Sequence, residues 1–168
     1  FDLSLGTTPG DKAIRVHRGR IFTENDFDTV QIQKVAVEAR RSHAVFDGWV
    51  DTQKLLAHVR IDGVFPDLDA WLARFGLPQF AKSAGGGTIT IDGPLRSPTI
   101  GVRVNLAGVP CLDTLKLDAQ IAHGIARIQH VSSASLGGQL DGTGTIVLGQ
   151  IPLVQRFHLD GRHLDAAK

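Results

Sequence analysis

Apolar residues recur at every second position in run after run along this chain, and that period of two constrains the fold more than any other feature. In one run Ile100, Val102, Val104 and Leu106 alternate with Gly101, Arg103 and Asn105; in another Leu115, Leu117, Ala119 and Ile121 alternate with Lys116, Asp118 and Gln120. Successive side chains of a strand point to opposite faces, so each run has one oily and one wet side. Shorter examples are Ile14 and Val16, Val30 and Ile32, Ala57, Val59 and Ile61, Ile89 and Ile91, and Ile146 and Leu148. The fold class expected is mainly β.

The acidic residues point the same way. Of the 17, all but Glu24 and Glu38 are Asp, a residue that competes with helical hydrogen bonds and favours turns and caps. Five of them precede glycine, at Asp47-Gly48, Asp62-Gly63, Asp92-Gly93, Asp141-Gly142 and Asp160-Gly161. Asp-Gly suits a type I′ turn, whose two central residues both need φ > 0, so these pairs predict hairpins and an antiparallel sheet.

One segment departs from the pattern. Between Pro66 and Pro78, Leu68, Trp71, Leu72 and Phe75 follow helical spacing, with Asp67 as N-cap and Gly76 just past the end, so a short inserted helix is expected near 67–75. Lys82 to Gly87 then reads as a flexible Gly-rich joint. It divides the chain into a β segment at 1–81 that ends in the helix, the joint at 82–87, and a second β segment at 88–168. Phe27-Asp28-Thr29-Val30-Gln31-Ile32 parallels Leu112-Asp113-Thr114-Leu115-Lys116-Leu117, which suggests a degenerate duplication. The chain begins at Phe1 and contains no Met, and is expected to be a segment of a longer protein.

Several function classes are disfavoured. With 18 basic and 17 acidic residues, the chain lacks the positive footprint of nucleic-acid binding. No stretch approaches the roughly 20 apolar residues of a membrane-crossing helix. The lone Cys111 excludes an internal disulfide and reads as a small buried residue. Gly85-Gly86-Gly87-Thr88 precedes a strand and has no phosphate-loop lysine, and Gly142-Thr143-Gly144 likewise opens no helix. Ser132, Ser133 and Ser135 are not set in a nucleophile elbow. His158, Asp160 and His163 could approach a metal, but a five-residue His spacing across an Asp-Gly pair has no established ligand geometry. No catalytic residue, no cofactor and no metal are expected, and the chain is not read as an enzyme.

The run from Thr88 to Val102, with Ile91-Asp92-Gly93-Pro94-Leu95 and Pro98-Thr99-Ile100-Gly101-Val102, resembles a phrase that recurs in the AsmA-like superfamily, with the TamB (translocation and assembly module subunit) family as its nearest fit. Leu136-Gly137-Gly138-Gln139-Leu140-Asp141-Gly142-Thr143-Gly144-Thr145-Ile146 is similar to a second phrase of the same superfamily. Residues 88–149 carry most of the likeness, and 27–65 repeat it weakly.

The resemblance implies an extended, curled antiparallel sheet, a β-taco or half-pipe with an apolar groove. It implies a parent protein anchored in the inner membrane of a Gram-negative bacterium and crossing the periplasm. The groove would conduct phospholipid between inner and outer membranes, support outer-membrane protein assembly, or both. The implied partners are phospholipid acyl chains and, through the parent, a BamA-like outer-membrane barrel, with no nucleic acid. The groove would be lined by Ile89, Ile91, Ile100, Val102, Val104, Leu106, Leu115, Leu117, Ala119, Ile121, Ile146 and Leu148. Two alternatives stay open on the residues alone: a closed β-sandwich used for binding or adhesion, and a carbohydrate-active β-enzyme using Trp49 and Trp71.

Overall fold

Alternation over so much of the chain becomes one sheet. The computed structural model describes residues 3–5, 14–24, 28–39, 42–66, 84–109, 112–135, 137–148 and 154–163. Its strands are β1 (Leu3–Leu5), β2 (Ile14–His17), β3 (Arg20–Glu24), β4 (Thr29–Ala39), β5 (Ser42–Asp51) and β6 (Leu56–Phe65). They continue as β7 (Ala84–Pro94), β8 (Thr99–Val109), β9 (Leu112–Ala122), β10 (Ile125–Ser135), β11 (Gly138–Val147) and β12 (Val154–Arg162). All 12 belong to a single sheet whose order follows the sequence, except that β3 prolongs β2 alongside β4. Every pairing is antiparallel, as the sequence predicts.

The sheet is one layer thick. Extensive contacts among the described strands join only ladder neighbours. Val35, Ala57, Ala119 and Ala126 are the only fully buried apolar residues among those described. A two-layer domain of this length would enclose far more side chains. No second sheet of a closed sandwich is found among the described residues. The expected curl into a half-pipe is corrected as well: the sheet is open and uncurled, and among the described strands extensive contacts join only ladder neighbours, so none of them draws the outer edges together.

Two irregularities keep the faces consistent. A one-residue slip would send every later side chain of a strand to the opposite face. In β4 the register shifts between Ile32 and Val35, and Lys34 takes φ 47 there, its amide donating to Asp47 Oδ1 at 3.1 Å. In β10 it shifts between Ile128 and Val131. Each bulge absorbs one extra residue and returns Val35 and Val131 to the side occupied by Ile32 and Ile128.

The Asp-Gly pairs do not form the hairpins expected of them: all five lie inside strands β5, β6, β7, β11 and β12. There the Asp projects on the polar face and the Gly occupies the apolar one. Asp47 is opposite Arg60, Asp62 opposite Thr88, and Asp92 opposite His58. Chain reversals fall elsewhere, as at His123-Gly124, whose φ values of 51 and 72 make a type I′ turn between β9 and β10.

From Ala84 onward the expected flexible joint is also strand. Gly85, Gly86 and Gly87 pair with β6 on one side and β8 on the other, so the sheet runs unbroken between the two supposed segments. Glycine is required by a close approach: a Cβ on Gly87 would overlap the Arg103 carbonyl oxygen and lie 2.9 Å from Val104 Cα. The helix expected near 67–75 lies outside the described residues.

Candidate functional site

Directly paired residues of an antiparallel ladder project on the same side, so register carries a face from strand to strand. Through Val104 one row reads Val37, Ala44, Gly63, Gly87, Val104, Leu117, Val131, Gly142, Leu159. Two residues further along each strand, or three in β10 across its bulge, the row is Val35, Phe46, Ile61, Ile89, Val102, Ala119, Ile128, Gly144, Phe157. A third runs from Ile21 through Ile32, Gly48, Val59, Ile91, Ile100, Ile121, Ala126 and Ile146 to Gln155. These rows contain no charged residue, and Gln155, at the β12 edge, is their only polar side chain. The first two cross nine strands at about 4.8 Å each, an uncharged path of roughly 38 Å perpendicular to the strands.

Eleven of the twelve expected lining residues fall on this one face: Ile89, Ile91, Ile100, Val102, Val104, Leu106, Leu115, Leu117, Ala119, Ile121 and Ile146. Leu148 does not belong to the ladder. It lies just past β11 in a turn, its amide donating to the Gly124 carbonyl at 2.7 Å, and is 40% exposed.

Val35, Val37, Phe46, Val131, Phe157 and Leu159 were missed by the sequence patterns. The β4 and β10 bulges break the alternation that would have revealed Val35, Val37 and Val131, whereas Phe157 and Leu159 alternate with His158 and could have been found.

The face is partly covered by its own side chains. Where a glycine leaves a gap, a neighbour leans in: the Phe157 ring covers Gly144, Leu159 Cδ2 covers Gly142, Leu106 Cδ2 covers Gly85, and the Phe65 ring covers Gly63. Most of the rest is half-buried, with Ile89, Phe157 and Leu159 still 37%, 47% and 53% exposed. A soluble monomer seldom leaves so large an apolar patch bare.

The opposite face is wet and largely paired within itself. Arg103 Nε meets Asp118 Oδ2 at 2.9 Å, and Arg60 Nε meets Asp62 Oδ2 at 2.8 Å. Thr88 Oγ1 donates to Asp62 at 2.5 Å, His58 Nδ1 pairs with Asp92 Oδ1, and Trp49 stacks on His58 with ring centroids 6.3 Å apart. The Arg60 hydrogen bond, with Thr88 next, holds the Asp62 carboxyl below its ordinary value. Arg60, Thr88, Thr90, Arg103, Asp118 and Gln120 border a shallow hollow of about 270 Å³ on this side. These pairs lie in water, which screens them, so they orient the wet face more than they stabilise the fold. His158 Nε2 is 3.4 Å from Asp160 Oδ2, and no cluster of three or more His, Cys, Asp or Glu suited to a metal occurs among the described residues.

Among the described residues the uncharged face is the most extended feature. Comparison with protein-family models, with curated proteins and with solved structures finds no significant match to this chain.

Proposed function

We propose that this chain is a segment of a lipid-conducting sheet of the AsmA-like or TamB kind, working in the periplasm between the inner and outer membranes of a Gram-negative cell. The supporting observation is the single apolar face, kept in phase by two bulges and free of charge over nine strands. A chain of about 14 methylenes gains roughly 11 kcal/mol on leaving water, at about 0.8 kcal/mol per methylene. Its transfer from a bilayer to an equally oily surface is then nearly neutral. Lipid can move along such a face without being held at any one point, provided that no charge interrupts it.

The polar headgroup would remain at the margin, in water, while the acyl chains lie on the rows through Val102 and Val104. Support for protein assembly at an outer-membrane barrel belongs to the parent protein in this proposal.

Binding of a dansylated fatty acid to the folded chain tests the idea. Saturable binding, displaced by phospholipid and removed by Val104→Arg but not by Asn105→Arg, is expected. Absence of saturable binding, or equal loss in both variants, would contradict it.

A further inference from the structure

The polar face holds a glycine that the packing of the sheet does not require. Glycine inside a strand weakens it, so each one needs a reason. A Cβ on Gly48, Gly87, Gly138 or Gly142 would run into the backbone of a neighbouring strand, and Gly93 takes φ 93. Gly101 has neither reason. It lies within β8 without a positive φ, and a Cβ there would meet only the Thr90 side chain, which can rotate away. A strand glycine of this kind marks a place where a ligand comes close to the backbone.

Around that gap lies the hollow of about 270 Å³ on the wet face, and the groups that border it are only half used. Arg103 pairs with Asp118 through Nε and Oδ2 alone, and Arg60 holds Asp62 through Nε and Nη2. Among the described residues, the remaining nitrogens of both guanidiniums, Asp118 Oδ1, the Thr90 hydroxyl and the amides of Gln120 and Gln129 have no hydrogen-bond partner. Gln129 borders the hollow from the β10 bulge, where it is the residue left without a ladder partner on β9.

These groups select a chemistry. Both guanidiniums already face carboxylates, so the hollow has no unpaired cation to attract an anion. It offers donors and acceptors side by side instead, a set matched by neighbouring hydroxyls of a sugar ring, each of which donates and accepts. Sites that enclose a whole small molecule span roughly 300–1,000 Å³, so this smaller hollow suits one ring, with the rest of a chain lying on the sheet.

Trp49 provides for that chain. It is half-buried on the same face and stacks on His58 with ring centroids 6.3 Å apart. Register places it three strands and two residues from Gly101, about 16 Å away, a span of several sugar rings. An aromatic side chain offers a rigid apolar surface to the C–H side of a ring. We propose that the wet face binds an uncharged, linear oligosaccharide, with one ring over Gly101 between Arg103, Asp118 and Gln129 and a later ring on Trp49.

Isothermal titration calorimetry of the whole chain with cellotetraose and with tetra-N-acetylchitotetraose should show saturable, millimolar-range binding of at least one of them. In a Trp71→Phe background the emission of Trp49 should change along the same curve. Gly101→Ala puts a methyl group into the hollow and should weaken binding by roughly fivefold or more while leaving urea unfolding unchanged. Gln129→Ala, and Arg103→Lys, which keeps the charge but loses the planar fork, should weaken it comparably. Inorganic phosphate should not displace the sugar.

No saturable binding of either oligosaccharide would overturn the proposal. So would full affinity in Gly101→Ala and Gln129→Ala, binding that leaves Trp49 emission unchanged, or displacement by phosphate, which would make the hollow an anion site. None of these outcomes depends on lipid binding at Val104, which is on the opposite face.

Discussion

Replacing Gly87 by alanine should destabilise this protein, although the same change in a flexible linker would stabilise it. A Cβ on Gly87 would run into the Arg103 carbonyl oxygen and approach Val104 Cα to 2.9 Å, and both obstacles are backbone of β8. Relief requires β8 to move away by more than about 1 Å, enough to break or lengthen two ladder hydrogen bonds at about 1 kcal/mol each. Some apolar packing between Val104 and its neighbours would be lost with them. Against this stands the lower entropy of an unfolded chain carrying alanine, about 0.4–1 kcal/mol in favour of folding.

The net expectation is a loss of roughly 1.5–2 kcal/mol. Gly101→Ala is the control: its Cβ would meet only Thr90 Oγ1, at 2.5 Å, and that side chain can rotate away. Its effect should lie within about 0.5 kcal/mol of zero. Urea unfolding followed by far-ultraviolet circular dichroism, with equal slopes for all three proteins, would measure both differences. A Gly87→Ala protein as stable as the native chain, or more so, would refute the paired-strand account of residues 84–87.

Three further expectations can be checked on the same material. Hydrogen bonds from Arg60 and Thr88 keep the Asp62 carboxyl below its ordinary value of 3.8, so its share of the stability is present above that value and lost as pH falls through the lower, folded one. Asp62→Asn should therefore flatten the decline in stability below about pH 4 in an acid titration, and an unchanged decline would contradict the pairing. His123→Asn should raise stability by roughly 0.5–1 kcal/mol in urea unfolding, because asparagine tolerates the left-handed φ of 51 required at that turn, and a loss would count against the type I′ geometry. Treatment with a chelator should leave the melting temperature unchanged, and a drop of many degrees would show that His158, Asp160 or His163 holds a metal.

Strand identity was legible in the sequence wherever alternation was strict. Ile100 to Leu106 and Leu115 to Ile121 occupy β8 and β9 on the face expected of them. The pattern failed where the backbone absorbs a residue. Val35 and Val37 are out of phase with Val30 and Ile32 until the Lys34 bulge is known, and Val131 is likewise hidden behind the β10 bulge. Bulges are set by pairing with a neighbouring strand, which a single run of residues does not display.

The Asp-Gly pairs misled for a related reason. A turn preference is local, but in Asp62-Gly63 the Asp meets Arg60 and Thr88 on the wet face while Gly63 makes room for Phe65 on the oily one. Tertiary pairing outweighed the turn propensity. Gly85-Gly86-Gly87 likewise reads as a joint in sequence, because its close approach to Arg103 and Leu106 is a property of two strands together. Curl depends on what covers or closes a sheet, and no pattern within one strand encodes that.

The central claim is that the face carrying Val104 conducts lipid and the face carrying Asn105 does not. Photo-activatable residues placed singly at 104 and 105 of this protein, irradiated in cells and examined for attached phospholipid, test it most directly. Both variants must first be shown to fold and to accumulate normally. Phospholipid adducts at 104, with few at 105, are the result expected, and equal labelling at the two positions, or none at either, would contradict the account.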